Sequence, residues 1–502
     1  MSEVIKADIA IIGSGMGGGM IARALTEAGK KVLIIERGFR LPQESQNWSP
    51  KAVFLDGRYK NAGSWINGSN QKSFIPGVHY YVGGNTKVYG ASLIRFREED
   101  FNGFKAAEGD SPRWPFTYAD LEPYYSKAEH FLNVRGNAGA DFTEPWRSTP
   151  YSFPALTHEP FIENFSQSLT KQGLHPYQMS MGVDFGPDGK CIRCATCDGF
   201  PCKVKAKSDA ETCGVDPSLA TGNATLLEGV TITRLIHDES GTRIIRAIGI
   251  KNNEAIEVDA NTFIVSCGAA NSAALLLNSK SEKHPQGLAN SNGLVGRNWM
   301  VHNATFMVGF NPFKRNTSIF QKTLSFNDWY LDSPSGYGLG NVQMLGKLQA
   351  EMFKSSKPWI PTFILNFFAK RTIDLYIESE DLPDLNNRVI TNDLGEIVIN
   401  WKANNLKAHS ELVKRTKKAL RKAGFPFVFT DQMGIETNSH MCGTLVAGND
   451  PRTSVLNTYC RTHEINNLFV VDSSFFPSSG AANPALTIAA QAIRVATEGG
   501  LI

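Results

Sequence analysis

The chain has 502 residues, 51 Lys and Arg against 48 Asp and Glu, and 42 % hydrophobic residues. That length builds a large core and about three domains of ordinary size, or fewer in a large α/β enzyme. The near balance of charge, with no long run of one sign, excludes a nucleic-acid-binding tail and a linear membrane patch.

The first residues, "MSEVIKADIAIIGSG", carry one basic residue and then run into a strand, without the charged, apolar and small-residue order of a secretory signal. The mature chain is therefore expected to begin at or near residue 1, and its expected compartment is the cytoplasm. Cysteine usage agrees. Five of the eight cysteines lie between 191 and 213, and Cys267, Cys442 and Cys460 are scattered, unlike the even framework of a small secreted protein.

Residues 7–12, "ADIAII", read as a buried parallel strand, followed at once by "GSGMGGG" and the helical pattern "MIARALTEAG". Gly13, Gly15 and Gly18 give the G-x-G-x-x-G spacing: a tight turn, a close backbone approach to a pyrophosphate at the helix N-terminus, and close helix packing. The next strand, "KVLIIERG", ends in Glu36, where a carboxylate can accept both hydroxyls of an adenosine ribose. This βαβ unit predicts a Rossmann-like dinucleotide domain. It does not separate a nicotinamide from a flavin, which share the adenosine diphosphate half.

Further along, "CIRCATCDGFPC" (191–202) spaces Cys191, Cys194, Cys197 and Cys202 as C-x2-C-x2-C-x4-C. Such spacing suits an iron–sulfur cluster, zinc or a thiol-rich loop. Residues 228–270 read as a meander of alternating strands broken by "ESG" and "NNE". The most apolar run, "WIPTFILNFF" (359–368), is far shorter than the ~20 residues of a membrane span and reads as core or pocket wall, with Trp359, Phe363 and Phe367 as candidate walls for a sugar. "NRVITNDLGEIVINW" (387–401) predicts strands of a mostly antiparallel sheet, and "NLKAHSELVKRTKKALRKAG" (405–424) an amphipathic helix packed near it. At the C-terminus, "NNLFVVDSSFFPSSGAANPALTIAAQAIRVATEGG" gives a strand, a Ser/Gly turn and a long helix, with Asn483 as N-cap, Pro484 at the first helical position and Gly499 as the stop.

Over nearly its whole length the chain resembles the glucose-methanol-choline (GMC) oxidoreductases. The resemblance lies in the N-terminal glycine unit, "GGNTKVYG" (83–90), "FIVSCGAANSAALLL" (263–277), "GLVGRNWMVH" (293–302), "HMCGT" (440–444) and "GAANPALTIAA" (480–490), and is nearest to the branch of pyranose oxidases and bacterial sugar dehydrogenases. The resemblance implies FAD, held by Gly13, Gly15, Gly18, Glu36, Gly83, Gly84, Asn85, Asp472, Asn483 and Pro484. It implies His440 as the base for a substrate hydroxyl and Asn483 as the partner of the substrate oxygen, with the helix after Pro484 aimed at the flavin so that its positive end favours hydride acceptance. Val88 stands where some members carry the histidine that bonds FAD covalently, so the cofactor is expected to be non-covalent. Some sugar dehydrogenases carry a cluster on a cysteine-rich loop in this part of the chain, which makes Cys191, Cys194, Cys197 and Cys202 candidate iron–sulfur ligands. The "DGFP" between Cys197 and Cys202 departs from their spacing.

The expected fold is thus α/β: a Rossmann-like FAD domain drawn from 1–110, 220–310 and 462–502, a cysteine-rich, substrate-side segment from 111–219, and a substrate domain on a mostly antiparallel sheet from 311–461. The expected activity is FAD-dependent oxidation of a sugar or glycoside hydroxyl. Its partners are the sugar, an electron acceptor other than NAD, and a small electron-transfer subunit; nucleic acid and a membrane span are not expected. Two rivals differ from it: an oxygen-using oxidase that makes hydrogen peroxide, and a non-catalytic flavoprotein scaffold, which would need neither His440 nor Asn483.

Overall fold

The structure is a computed structural model that describes residues 3–60 and 63–502; the expected chain start at Met1 lies outside the described residues. Strand β1 (Glu3–Ile12), helix α1 (Met16–Glu27) and strand β2 (Val32–Glu36) form the predicted βαβ unit. β2, "VLIIE", is buried along its whole length, as a strand covered on both faces must be.

Four later strands extend this seven-stranded sheet: β3 (Ala224–Glu228), β4 (Val230–His237), β5 (Ile244–Lys251) and β6 (Glu254–Val265). Its order is β3-β2-β1-β6-β5-β4. β3, β2, β1 and β6 run parallel, and β4, β5 and β6 form the antiparallel meander read from residues 228–270. Beyond residue 262 β6 leaves β5 and pairs instead with a strand from the far end of the chain, Leu468–Val470. Helix α2 (Ala269–Asn278) follows β6.

A second sheet contains β7 (Asn303–Phe310), β8 (Leu324–Phe326), β9 (Asn341–Met344), β10 (Thr372–Ser379) and β11 (Phe427–Gln432). Its order is β11-β7-β10-β9-β8, with Tyr177–Gln178 at the far edge, and every pairing is antiparallel. β7 begins before residue 311, inside the stretch read as cofactor domain. The hairpin read in 387–401 also differs from expectation: Arg388–Thr391 and Ile397–Asn400 join Trp65–Asn67 and Lys72–Phe74 in a separate four-stranded sheet. Helix α5 (Leu406–Lys422) packs on the second sheet through Ala408, Leu412 and Leu420.

Between β9 and β10 stand two short helices, α3 (Ala350–Ser356) and α4 (Thr362–Ala369). They correct the reading of 359–368 as core or pocket wall. Trp359 is 72 % and Phe363 75 % exposed; the run faces outward because Leu365 and Ala369 alone of α4 are buried. After strand β12 (Leu468–Val470) the chain ends in helix α6 (Ala485–Glu498). Among the described residues no helix is long and apolar enough to cross a membrane.

Candidate active site

One cavity of about 1090 Å³ takes its lining from the βαβ turn at one end and from the second sheet at the other. At the first end, Gly13 has φ +100°, and a Cβ there would lie 2.2 Å from the carbonyl oxygen of Ser266. A Cβ on Gly18 would lie 2.0 Å from the Gly13 carbonyl oxygen. Gly18 therefore serves packing and does not line the cavity. Gly15 is the opposite case, with no atom within 4 Å of an added Cβ, so its open side is room for a ligand.

Glu36 lines the same end. Its Oε2 accepts from the Ser14 N–H at 3.0 Å and the Ser14 hydroxyl at 2.6 Å, and its Oε1 from the Gly38 N–H at 2.9 Å. Burial pushes this carboxyl up, and those donors pull it back. The Ser14 hydroxyl also accepts from the Gly83 N–H at 3.1 Å, which pins the 83–90 segment to the glycine turn. Gly84 follows with φ +56°, its missing Cβ facing Gly15, and Asn85 accepts the His79 N–H at 2.7 Å. Gly84 and Asn85 line the cavity, as does Val88, whereas Gly83 sits behind them.

Asp472 is buried, and burial pushes its carboxyl up. It accepts from the N–H of Gly268 and of Ser474. Pro484 precedes α6, and this corrects one expectation. Asn483 does not cap the helix: Pro484 is the N-cap residue, no side chain caps it, and the Asn483 side chain turns to the second sheet. The N-termini of α1 and α6 are thus both without a side-chain cap, and both meet the cavity. Unsatisfied N–H groups and the positive dipole end at such sites suit phosphate and other anionic groups. The buried Ser266 hydroxyl, also in the lining, has no protein partner. Together with Glu36 and the opening at Gly15, these donors fit an adenine dinucleotide such as FAD.

The other end is assembled from five separate segments. His440 lies in the lining with its Nδ1 2.7 Å from Glu378 Oε1. His302 brings its own Nδ1 to 3.0 Å from the same oxygen, and its Nε2 lies 3.1 Å from the Ser479 carbonyl oxygen, to which it can only donate. Burial works against charge on Glu378, but the His440 and His302 imidazoles outweigh it and hold the carboxyl down at about 2. Burial likewise opposes charge on His302, and the Glu378 carboxylate overcomes it, raising that imidazole above its ordinary value.

An ionised Glu378 fixes hydrogen positions around it. His440 Nδ1 lies 2.7 Å from Glu378 Oε1 and 3.0 Å from His302 Nδ1; in the neutral tautomer that donates Nδ1–H to Glu378, Nε2 is left as a lone-pair acceptor. Gln343 Nε2 lies 2.8 Å from Glu378 Oε2 and 2.8 Å from Asn483 Oδ1. A carboxylate accepts only, so Gln343 turns its NH₂ toward it, and the second hydrogen of that group takes the Asn483 oxygen. Asn483 is then left with its own NH₂ for the cavity. One buried carboxylate thereby gives the site an acceptor at His440 and a donor at Asn483.

Sequence reasoning named His440 and Asn483 and missed His302, Gln343 and Glu378. His302 closes the quoted block 293–302. β10, "TIDLYIES", carried a usable signal, since Asp374 and Glu378 are charged residues in a strand whose neighbours are core. Tyr376 and Phe306 flank the catalytic end with rings 5.6 Å apart. They hold the place the sequence reading gave to Trp359, Phe363 and Phe367, none of which lines the cavity. The thiol loop borders the cavity through Asp198 and Gly199, and Lys322 pairs with Asp198 at 2.6 Å. Cys191, Cys194, Cys197 and Cys202 are free thiols, each partly buried.

Comparison with known proteins gives the family and the fold of the chain. Family models described as GMC oxidoreductase match residues 17–304 and 392–492. The 6'''-hydroxyparomomycin C oxidase of Streptomyces lividus is 30 % identical over 97 % of this chain and 90 % of its own. The fructose dehydrogenase large subunit of Gluconobacter japonicus is 24 % identical over 99 % of this chain and 98 % of its own. Among solved structures, pyridoxine 4-oxidase from Mesorbium loti superposes with a TM-score of 0.66 at 18 % identity, over 98 % of this chain and 99 % of that one, a likeness of fold.

Proposed function

The chain belongs to the GMC oxidoreductase family, and from that premise we propose that it oxidises a hydroxyl of a sugar or glycoside to a carbonyl, with electrons passing to an acceptor other than NAD. As a member of that family it is an FAD-dependent oxidoreductase acting on CH–OH groups. The observation that carries the proposal is the pairing of an acceptor at His440 with a donor at Asn483 across one cavity, both set by Glu378.

Bound FAD would supply the acceptor for a hydride from the carbinol carbon. The chain's own residues handle the proton and the oxygen. His440 Nε2 takes the hydroxyl proton, a step that a positioned base speeds ~10²–10⁴-fold. Asn483 donates to the same oxygen and holds it while the carbonyl forms. The positive charge that develops on His440 falls beside Glu378, a buried carboxylate already in place, so little rearrangement is needed at the moment of transfer. Phe306 and Tyr376 offer an apolar platform for a sugar face, and the Lys322–Asp198 pair offers polar partners for its hydroxyls.

The substrate class rests on the relatives, whose names specify hydroxyparomomycin C and fructose. The oxidase name favours a second reading for the oxidative half, oxygen as acceptor with hydrogen peroxide as product. The FAD is held without a covalent bond, because Val88 offers no nucleophile from the 83–90 segment. Residues 1–110, 220–310 and 462–502 form the cofactor domain, with β7 giving its length to the substrate side. Eight free thiols support a reducing compartment, the cytoplasm. An iron–sulfur cluster on Cys191, Cys194, Cys197 and Cys202 is also part of the proposal. Its basis is the cysteine spacing in the sequence alone, since among the described residues these thiols are not a group of ligand atoms converging on one ion; anaerobic protein with stoichiometric FAD and no iron or sulfide would reject it.

The activity itself is tested by adding hydroxyparomomycin, fructose and other sugars to the protein without oxygen. Bleaching of the flavin absorbance by one of them supports the proposal. An unreduced flavin across such a panel, with FAD bound at full occupancy, would overturn it in favour of a scaffold.

A further inference from the structure

Helix α4, "TFILNFFA", has the composition of a core helix but stands outside. Besides Trp359 and Phe363, Ile364 and Phe367 are exposed, and Phe313 on a neighbouring turn is 94 % exposed. Six rings, Phe310, Phe353, Phe367, Phe368, Phe427 and Phe429, form a connected cluster. Phe353 of α3 meets Phe368 at 5.2 Å between centroids, Phe368 meets Phe310 of β7 at 4.8 Å and Phe429 of β11 at 5.6 Å, and Phe310 meets Phe427 at 6.2 Å. A contiguous exposed apolar surface of this kind marks a contact site.

The charges around it identify the occupant. Lys354 lies on α3 and Lys357 ends it, Lys370 and Arg371 follow α4, and Lys314 and Arg315 follow the exposed Phe313 in the chain. Two carboxylates on these elements, Glu351 of α3 and Asp431 of β11, form no ion pair among the described residues and are outnumbered by the six cations; Asp374 is paired with Lys347 and Asp198 with Lys322. The Arg371 guanidinium lies 3.8 Å over the Phe367 ring instead, and the Lys357 ammonium 5.4 Å from the Trp359 ring. Four of the six cations are lysines, which protein–protein interfaces deplete. Projecting Trp and Phe side chains within a fringe of Lys and Arg are what a protein lying on an anionic bilayer presents, rings at the acyl boundary and cations among the phosphates.

The position of this face ties it to the cavity. Along β7 the side chains of Phe306, Val308 and Phe310 share one side of the sheet. Phe306 lines the cavity, and Phe310, about 14 Å further along the strand, belongs to the outer rings. On α3 the Met352 side chain packs against the cluster of Val53 and Phe200, and the Gln349 side-chain amide donates to the Ala195 carbonyl of the thiol loop at 3.2 Å.

We propose that the α3–α4 hairpin, together with Phe313 and the outer rings of β11, docks on an anionic lipid surface and turns the cavity side of the second sheet toward the bilayer. The test uses the full FAD-loaded chain, sedimented with vesicles of phosphatidylcholine mixed with phosphatidylglycerol and with vesicles of phosphatidylcholine alone. Binding to the mixed vesicles is expected, weaker at high salt, with a blue shift of tryptophan emission that Trp359→Phe removes. A Trp359→Ser, Phe363→Ser and Phe367→Ser triple variant should bind at least about ten-fold more weakly. Lys354→Gln, Lys357→Gln and Lys370→Gln should each cost about five-fold. All should keep FAD and the thermal midpoint, since none of these side chains is buried. Failure of the parent chain to bind mixed vesicles, or equal binding by the triple variant, would overturn the proposal. So would a parent chain that ignores vesicles but forms dimers which the triple variant splits, because the occupant would then be a second copy.

Discussion

The two ends of the one cavity are built by opposite means. At the cofactor end, Gly13, Gly15, Gly18 and Glu36 fall within a single βαβ unit, and what matters is backbone: open N–H groups and missing Cβ atoms. At the catalytic end, residues 302, 343, 378, 440 and 483 come from five segments, and what matters is side-chain polarity passed from one buried carboxylate. A backbone cradle tolerates any side chain that leaves its space open. A polarity relay fails when one member changes charge.

The largest expected effect is therefore at the relay's end. His440→Ala should keep FAD and lose ~10²–10⁴-fold in the rate of flavin reduction by substrate; rapid-mixing absorbance reads this, and a near-normal rate would assign proton removal to another residue. Glu378→Gln should lose about 10²-fold, because a neutral amide no longer dictates the hydrogen on His440 or the orientation of Gln343. Gln343→Leu leaves His440 set and frees only Asn483. It should cost about ten-fold, mostly in kcat and little in KM.

At the cofactor end the contrast lies between two glycines. Gly18→Ala puts a methyl against the Gly13 carbonyl and should lower stability by about 1–3 kcal/mol, read by thermal unfolding. Gly15→Ala has room in the folded chain, so it should unfold normally and release FAD more readily, read by flavin fluorescence on dilution. Equal behaviour of the two would refute the division between packing and ligand room.

The smallest effect concerns pH. Burial raises Glu380 to about 8 and Asp381 to about 7, above their ordinary values of 4.5 and 3.8. Groups raised in the folded state favour folding most below their ordinary values, and that contribution is lost as pH rises through the folded values. Glu378, held down at about 2, behaves oppositely: its contribution is present above 4.5 and lost as pH falls through 2. The thermal midpoint should thus decline as pH rises from about 4 to about 8 and level off above that, and Glu380→Gln with Asp381→Asn should flatten that decline.

The same contrast explains what could be read from the sequence. The βαβ unit, the 228–270 meander and helix α5 were legible because each is specified by local periodicity and turn residues. His440 and Asn483 were legible through their motif blocks. Glu378 and Gln343 were not, since their roles arise only when β9 and β10 pair and place Gln343 beside Tyr376 and two residues from Glu378. Asn483 was misread as a cap because an Asn before Pro at a helix start has that local preference, which the contact with Gln343 overrides. The run 359–368 was misread as core because hydropathy records composition and not which face turns outward. Four cations flank it in sequence, Lys354, Lys357, Lys370 and Arg371, a pattern that hydropathy alone does not weigh.

The central claim is that His440 removes a sugar hydroxyl proton next to a bound flavin under the control of Glu378. Anaerobic rapid mixing of hydroxyparomomycin or fructose with the FAD-loaded parent chain, His440→Ala and Glu378→Gln tests it most directly. Full bleaching of the flavin is expected in the parent, with a loss of ~10²–10⁴-fold in rate for His440→Ala and about 10²-fold for Glu378→Gln, and FAD retained in all three. Rapid bleaching in His440→Ala, or a parent rate that Glu378→Gln leaves unchanged, would contradict it.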